Sequence, residues 1–167
     1  MHWQWLHDYH LFLFDFDGLL VDSEPLHFAA YKRLCQQEGC EWVWSFERYC
    51  KAAHLNATSL KEELLQDYPK LAKHSWELLY EKKKKNFDEI LNETTVKLMP
   101  GALELLTKLH EEKIAHCVVT HSSKKHIDLM RKQQPLLNTI PHWFTREDYT
   151  NPKPSPDGYL KAISTLY

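Results

Sequence analysis

The stretch LFLFDFDGLLVDSEP, Leu11 to Pro25, carries the reading of the whole chain. A short apolar, aromatic run from His10 to Phe14 ends in two aspartates one residue apart, Asp15 and Asp17, and then Gly18. The run reads as a buried strand. Side chains two apart on a strand leave the same face, so a strand that persists to Asp17 aims both carboxylates at one place. At about 6 Å and an effective dielectric of about 20, two such charges repel by roughly 3 kcal/mol. Either a hard divalent cation such as Mg²⁺ offsets them, or one carboxyl keeps its proton for general acid catalysis. An ordinary turn or cap pair at a strand end is the structural alternative. Gly18 lets the backbone turn sharply, and the amides of that turn are expected to stay free for an anion.

From Ser23 to about Glu93 the pattern turns helical. SEPLHFAAYKRLCQQEG has a capping serine, an early proline and a closing Gly39. SFERYCKAA and TSLKEELLQDY follow, the second with a capping box from Ser59 to Glu62. PKLAKHSWELLYEKKKKNFDEILNE reads as one long amphipathic helix, with Trp76, Leu78 and Leu79 packing its core and the EKKKKNF lysines on a solvated face. Beyond TTVKLMPG, ALELLTKLHEEK is a helix, IAHCVVT a second buried strand and SSKKHIDLMRKQ a helix opened by serines. HWFT reads as a short third strand, and a last helix starts near Pro156. Short buried strands alternating with helices predict an α/β fold, a Rossmann-like parallel sheet covered by helices on both faces. Residues 1–22 and 96–167 form its core, and residues 23–95 a helical insertion. The insertion falls directly after the first strand, at the end of the sheet where such folds bind ligands.

With 21 Lys+Arg against 23 Asp+Glu, the chain lacks the basic field that nucleic acid or an anionic membrane requires. No apolar run is long enough to span a membrane, and the start, MHWQWLHDYH, does not read as a secretory signal. The cysteines Cys35, Cys40, Cys50 and Cys117 form no CxxC pair and suit a reducing cytoplasm. Eleven histidines, among them His116, His121 and His126, match no familiar zinc-ligand spacing.

Two further segments bear on the chemistry. VVTHSS ends the second strand with Thr120, His121, Ser122 and Ser123, where hydroxyls and unpaired helix amides could hold a phosphate-sized anion. Plain N-capping explains the same residues. NPKPSP pins Lys153 between two prolines, so its ammonium is presented from a stiff loop. A surface turn with a solvated lysine is the alternative for that segment.

Together, DFDGLLVDSE, VVTHSS and KPSPDGYLKA resemble the first three motifs of the haloacid dehalogenase superfamily, in the β-phosphoglucomutase-like branch with a helical cap. The resemblance implies a Mg²⁺-dependent phosphatase acting on a small phosphorylated metabolite. Asp15 would be the nucleophile that forms an aspartyl-phosphate, and Asp17 the acid and base. Asp15 and Asp17 would hold Mg²⁺, Thr120 and the next amide the phosphoryl oxygens, and Lys153 their charge. Gly18, His121 and Ser122 would line the phosphate site, with His27 at the cap entrance. Uncatalysed phosphate-monoester hydrolysis is so slow that these groups together must supply on the order of 20 kcal/mol or more. The related mutases carry a cap arginine for a second phosphate; KAAHLNATSL offers Ala52, His54 and Leu55 in that region, which favours a phosphatase over a phosphosugar mutase. The family's fourth motif, an acidic pair that completes the metal site, has no counterpart after Lys153, so the reading expects a truncated chain. From this follow two expectations. One is a catalytically silent remnant or interaction module as the rival function; the other is self-association through an exposed apolar first strand, partly covered by the aromatic start.

Overall fold

The computed structural model describes residues 3–55 and 57–167. Met1, His2 and Asn56, which belong to the aromatic start and the KAAHLNATSL segment, lie outside the described residues. In chain order the elements are β1 (Phe12–Phe14), β2 (Val21–Asp22), α1 (Glu24–Gln37), α2 (Phe46–Leu55), α3 (Ala57–Asp67), α4 (Trp76–Glu93), β3 (Lys97–Leu98), α5 (Ala102–Glu111), β4 (His116–Val119), α6 (Lys124–Gln133), β5 (His142–Phe144) and α7 (Asp157–Leu166). They divide into an α/β unit, Met1–Ser23 with Thr95–Tyr167, and a helical unit, Glu24–Thr94.

In the α/β unit, β1, β4 and β5 make a parallel sheet in the order β1-β4-β5, with Phe12 opposite His116 and Val119 opposite Phe144. Parallel neighbours require crossovers, and α5 and α6 provide them. The central strand β4 is buried along its whole length, as expected for a strand with partners on both sides and cover on both faces. β1 is the outer strand, and its three residues are only half-buried. This corrects the expectation of a buried first strand: one flank has no strand partner among the described residues. Leu13 faces the cluster of Cys117, Val119, Phe144 and Ala162. Phe12 and Phe14 leave the other face, stacked on each other at 6.1 Å, with Trp5 and Tyr9 edge-on to Phe12. A turn of 3-10 helix, Gln4–Asp8, carries this aromatic start and buries Leu6 completely.

The segment TTVKLMPG, to which the sequence assigns no element, pairs in part. Its Lys97 and Leu98 form an antiparallel ribbon with Val21 and Asp22.

The helical unit has its own core of Tyr31, Leu34, Leu64, Leu71 and Leu79 with Trp44, Tyr49 and Tyr68. α1 ends as its sequence indicates. Gly39 takes φ +72°, its N–H bonds to Gln36 O, and Cys40 N–H bonds to Cys35 O, which satisfies the last carbonyls of the helix. Three expectations fail here. The long helix from Pro69 is broken: Pro69–Lys73 is a separate 3-10 turn, and Ser75 caps α4 by accepting from Leu78 N–H at 3.3 Å. α3 begins at Ala57, so Ser59 lies inside it and no capping box starts there. Leu78 is exposed, while Lys83, in the middle of the lysine run, is buried. Lys83 follows Leu79 and precedes Phe87 by one turn each, which puts it on the apolar face of α4.

One buried histidine makes the stability of the α/β unit sensitive to acid. His116 on β4 is 3% exposed, and its Nδ1 lies 2.7 Å from Ile114 O. A carbonyl only accepts, so Nδ1 carries the proton, and Nε2 has no partner among the described residues. Burial pushes the pKa of the ring below its ordinary 6.5, against the smaller opposite effect of the Ile114 carbonyl. The unfolded chain therefore binds this proton more readily than the folded one. The contribution to stability is whole above about pH 6.5 and falls as the pH drops from there toward the lowered folded value, by at most about 1.4 kcal/mol per pH unit. Urea unfolding of His116→Asn, compared with the parent at pH 7.5 and pH 5.5, should show a shallower loss of stability in the variant.

Candidate active site

β1 ends at Phe14, yet the alternation of its side chains continues for three more residues. Phe16 is fully buried and packs edge-on to Trp143 at 5.2 Å. Its neighbours Asp15 and Asp17 are half-buried. Phe16 thus anchors the tip, and the two carboxylates stand at the C-terminal ends of β1 and β4. Gly18 then turns the chain at φ +73°, a conformation that side-chain-bearing residues rarely adopt. The amides of this turn are not free, contrary to expectation. Gly18 N–H donates to Val21 O, and the amides of Leu19 and Leu20 both donate to Phe16 O. Gly18 shapes the turn; its amide is already committed to it.

The two carboxylates meet different partners. Asp15 Oδ1 accepts from Lys153 Nζ at 2.7 Å and from Phe16 N–H at 2.8 Å. No hydrogen bond ends on Asp15 Oδ2 among the described residues. Asp17 meets three hydroxyls. Ser23 donates to Oδ1 at 2.7 Å, while Ser122 and Thr120 donate to Oδ2 at 2.6 and 3.3 Å. Ser23 and Thr120 are themselves buried, so this cluster is shielded from bulk water.

Lys153 is held from several directions. Its ammonium also donates to Val119 O at 2.8 Å and lies 5.1 Å from the centre of the Tyr159 ring. Burial works to lower its pKa, but the hydrogen bond and charge of Asp15 outweigh that, so the lysine stays protonated more firmly than in water. The loop that presents it is closed by Asp157 in the first turn of α7. One oxygen of Asp157 accepts from Asn151 N–H and Nδ2, the other from Ser155 Oγ. These hydrogen bonds hold the Asp157 carboxyl below its usual range. The stiffness read from the prolines therefore has a second source.

Thr120 stands where β4 ends. Its N–H donates to Phe144 O on β5, and its carbonyl accepts from Tyr149 Oη at 2.8 Å. Its own Oγ1 accepts from Ser122 N–H at 3.0 Å. Ser123 caps α6 by accepting from His126 N–H at 3.4 Å, which is the plain capping role. Under this strand end, Gly158 of α7 leaves no room for a side chain. A Cβ there would come within 2.9 Å of both Tyr149 and Val119.

Asp15, Asp17, Thr120, Ser122 and Lys153 therefore come together, as their sequence motifs suggest. The His121 side chain is exposed, and its ring lies 6.4 Å from that of Tyr149. His27 belongs to the helical unit, where its ring stacks on Phe87 at 4.2 Å and its Nδ1 lies 2.8 Å from Lys83 Nζ. Three contributors were missed. Ser23 was read only as a helix cap, and nothing in the sequence marked Tyr149. Asp157 was placed in the third motif without a role. Lys83 was misread as solvated, although its spacing from Leu79 and Phe87 was visible. No group of three His, Cys, Asp or Glu side chains suited to a metal is found among the described residues.

The sequence of residues 12–167 matches the family model of haloacid dehalogenase-like hydrolases. The chain belongs to that family. CbbY of Rhodobacter capsulatus is 25% identical over 161 residues, covering 92% of this chain and 70% of that protein. The "Probable pseudouridine-5'-phosphatase" of Drosophila melanogaster is 29% identical over 154 residues, covering 90% of this chain and 64% of that protein. The crystal structure of CbbY from Rhodobacter sphaeroides in complex with phosphate superposes with a TM-score of 0.68 at 22% identity, over 94% of this chain and 72% of that one. This chain thus spans about two thirds of the length of these relatives, and it shares the haloacid dehalogenase-type fold. In that fold the packing beneath the β4 tip is tight enough to test directly. Gly158→Ala should destabilise the protein by about 1–3 kcal/mol through overpacking against Tyr149 and Val119, measured as a shift of the urea midpoint.

Proposed function

We propose that this chain is a Mg²⁺-dependent phosphatase that hydrolyses the phosphate monoester of a small metabolite through an aspartyl-phosphate. The observation that carries the reading is the contact of Lys153 with Asp15 at 2.7 Å, beside the three hydroxyls on Asp17. Lys153 engages Oδ1 of Asp15 and leaves Oδ2 to act as nucleophile. In-line attack by Oδ2 forms an Asp15–phosphorus bond as the ester oxygen leaves, and Asp17 gives that oxygen its proton. Asp17 then takes a proton from water, which attacks phosphorus and breaks the Asp15–phosphorus bond to release inorganic phosphate. Thr120, Ser122 and the His121 amide orient the phosphoryl oxygens, and Lys153 balances their charge.

Mg²⁺ prefers oxygen ligands, and the Asp15 carboxylate with the Asp17 carbonyl would supply oxygens of that kind. When bound there, the ion would offset carboxylate and phosphoryl charge. The names of the phosphatase relatives support a small phosphorylated substrate. The family resemblance also implies a substrate contact for His27, which is half-buried beside Lys83. The four cysteines form no disulfide among the described residues, which favours a cytoplasmic setting, and no helix is long and apolar enough to cross a membrane among the described residues.

Hydrolysis of a chromogenic phosphate ester tests the reading. The chain should turn over with Mg²⁺, stop with a chelator and recover when Mg²⁺ is restored. Asp15→Asn should abolish turnover, and Asp17→Asn should slow it by about 10²–10⁴-fold. An inert parent chain, or an Asp15→Asn variant as fast as the parent, would end the proposal.

The open flank of β1 also supports self-association, since an unpaired strand edge with apolar side chains can pair with a second copy. Size-exclusion chromatography over a hundredfold range of concentration should show the elution volume falling as the protein is concentrated. A volume that stays at the monomer position throughout would exclude pairing.

A further inference from the structure

We infer that Tyr149 is a positioning residue for the phosphate site, acting through the Thr120–His121 peptide; the inference rests on the phosphatase reading above. Among the described residues, the hydrogen bond of Tyr149 goes to no side chain assigned to the chemistry. Its hydroxyl donates to the main-chain carbonyl of Thr120 at 2.8 Å. A trans peptide is planar, so its N–H points opposite to its C=O. Fixing the Thr120 carbonyl toward Tyr149 therefore fixes the His121 N–H in the opposite direction. Among the described residues that N–H donates to no acceptor. It is the amide that follows the clamp threonine.

Three independent contacts hold the same peptide and its flanks. Thr120 N–H is tied to Phe144 O, the Thr120 hydroxyl bridges Ser122 N–H and Asp17, and the Tyr149 hydroxyl ties the carbonyl. The last acts directly on the Thr120–His121 plane, through its carbonyl. The Tyr149 ring is held in turn, since it packs in the cluster of Cys117, Val119, Phe144 and Ala162, against Gly158. Burial and the Asp15 charge raise the phenol's pKa, against the opposite effect of Lys153, so the hydroxyl keeps the proton it donates. A side chain that served packing alone would need the ring and not the hydroxyl, and Phe would do as well.

The test compares the parent chain with Tyr149→Phe, which keeps the ring. Inorganic phosphate is titrated in the presence of Mg²⁺, and amide hydrogen exchange is followed at His121 and Ser122, with Ile127 and Met130 in α6 as internal controls. Loss of one hydrogen bond that orients a donor should weaken phosphate binding, and with it the protection from exchange that bound phosphate gives the His121 N–H, by about five- to tenfold each. Exchange at Ile127 and Met130 should stay unchanged. If the parent binds phosphate and Tyr149→Phe binds it equally well, with unchanged exchange at His121, the positioning role is refuted while the phosphatase reading stands. If exchange quickens equally at Ile127 and Met130, the hydroxyl only stabilises the fold and the inference fails. If the parent itself binds no phosphate, the phosphatase reading fails and takes this inference with it.

Discussion

Two like charges leaving one strand end two residues apart must be given different surroundings, and the rest of the site follows from how that is done. Asp15 receives a full positive charge from Lys153, brought back across 138 residues of sequence. Asp17 receives no cation among the described residues. It receives three hydroxyls, from Ser23, Thr120 and Ser122. A hydroxyl can rotate to donate or to accept, so the cluster can follow Asp17 whether it is ionised or protonated. An ammonium can only donate, and it favours the ionised form of its partner. The pair of neighbours thus gives the two carboxylates separate electrostatic roles: one faces a fixed positive charge, the other groups that can donate or accept. Neither role depends on the apolar content of the strand, which only sets where the two side chains emerge.

Placing these partners is a matter of strand order. A parallel sheet brings the C-terminal ends of β1 and β4 side by side, and Thr120 follows directly on the last residue of β4. Lys153 reaches the same point because its ammonium also bonds to Val119 O, the last carbonyl of β4. The residue that positions the cation is therefore the strand end itself. Phe16, buried against Trp143 near the start of the turn, prevents the tip from rotating and swapping the two faces.

Much of this was legible in the sequence, because motifs written in short local patterns survive without tertiary knowledge. The acidic pair after an apolar run, the hydroxyls after VV and the lysine between prolines each announce a strand end or a stiff loop. What could not be read were features decided by partners far away in sequence. The half-buried state of β1 depends on its place at the edge of the sheet; the apolar run by itself reads as buried, and only the missing fourth motif pointed to an exposed edge. Ser23 sits where a cap serine belongs, so its hydroxyl bond to Asp17 was hidden by a sufficient local explanation. The free amides expected at Gly18 failed because a tight turn closes its own hydrogen bonds first. Lys83 was a different kind of miss. The helical spacing was visible, but four consecutive lysines suggested solvent more strongly than periodicity suggested burial. The aromatic rings of Tyr31 and Phe87 lie 5.1 and 5.2 Å from its ammonium and make burial tolerable.

Formal charge gives a last constraint on how such a site can work. With both carboxylates ionised and Lys153 protonated, the three side chains carry one net negative charge. An arriving phosphate-monoester dianion would raise this to three. At separations of a few ångströms in a half-buried site, that repulsion amounts to several kcal/mol, more than the hydroxyls of Thr120 and Ser122 could offset at about 1 kcal/mol per hydrogen bond. A divalent cation removes two of the three charges, and a proton on Asp17 removes the third. On the proposed reading, a cation and a proton together would accommodate the dianion, and that proton would be the one the departing ester oxygen requires. On that reading binding and the first chemical step would make the same electrostatic demand, and the hydroxyls around Asp17 suit it better than a second lysine: a fixed ammonium there would neutralise the charge but favour the form that has no proton to give.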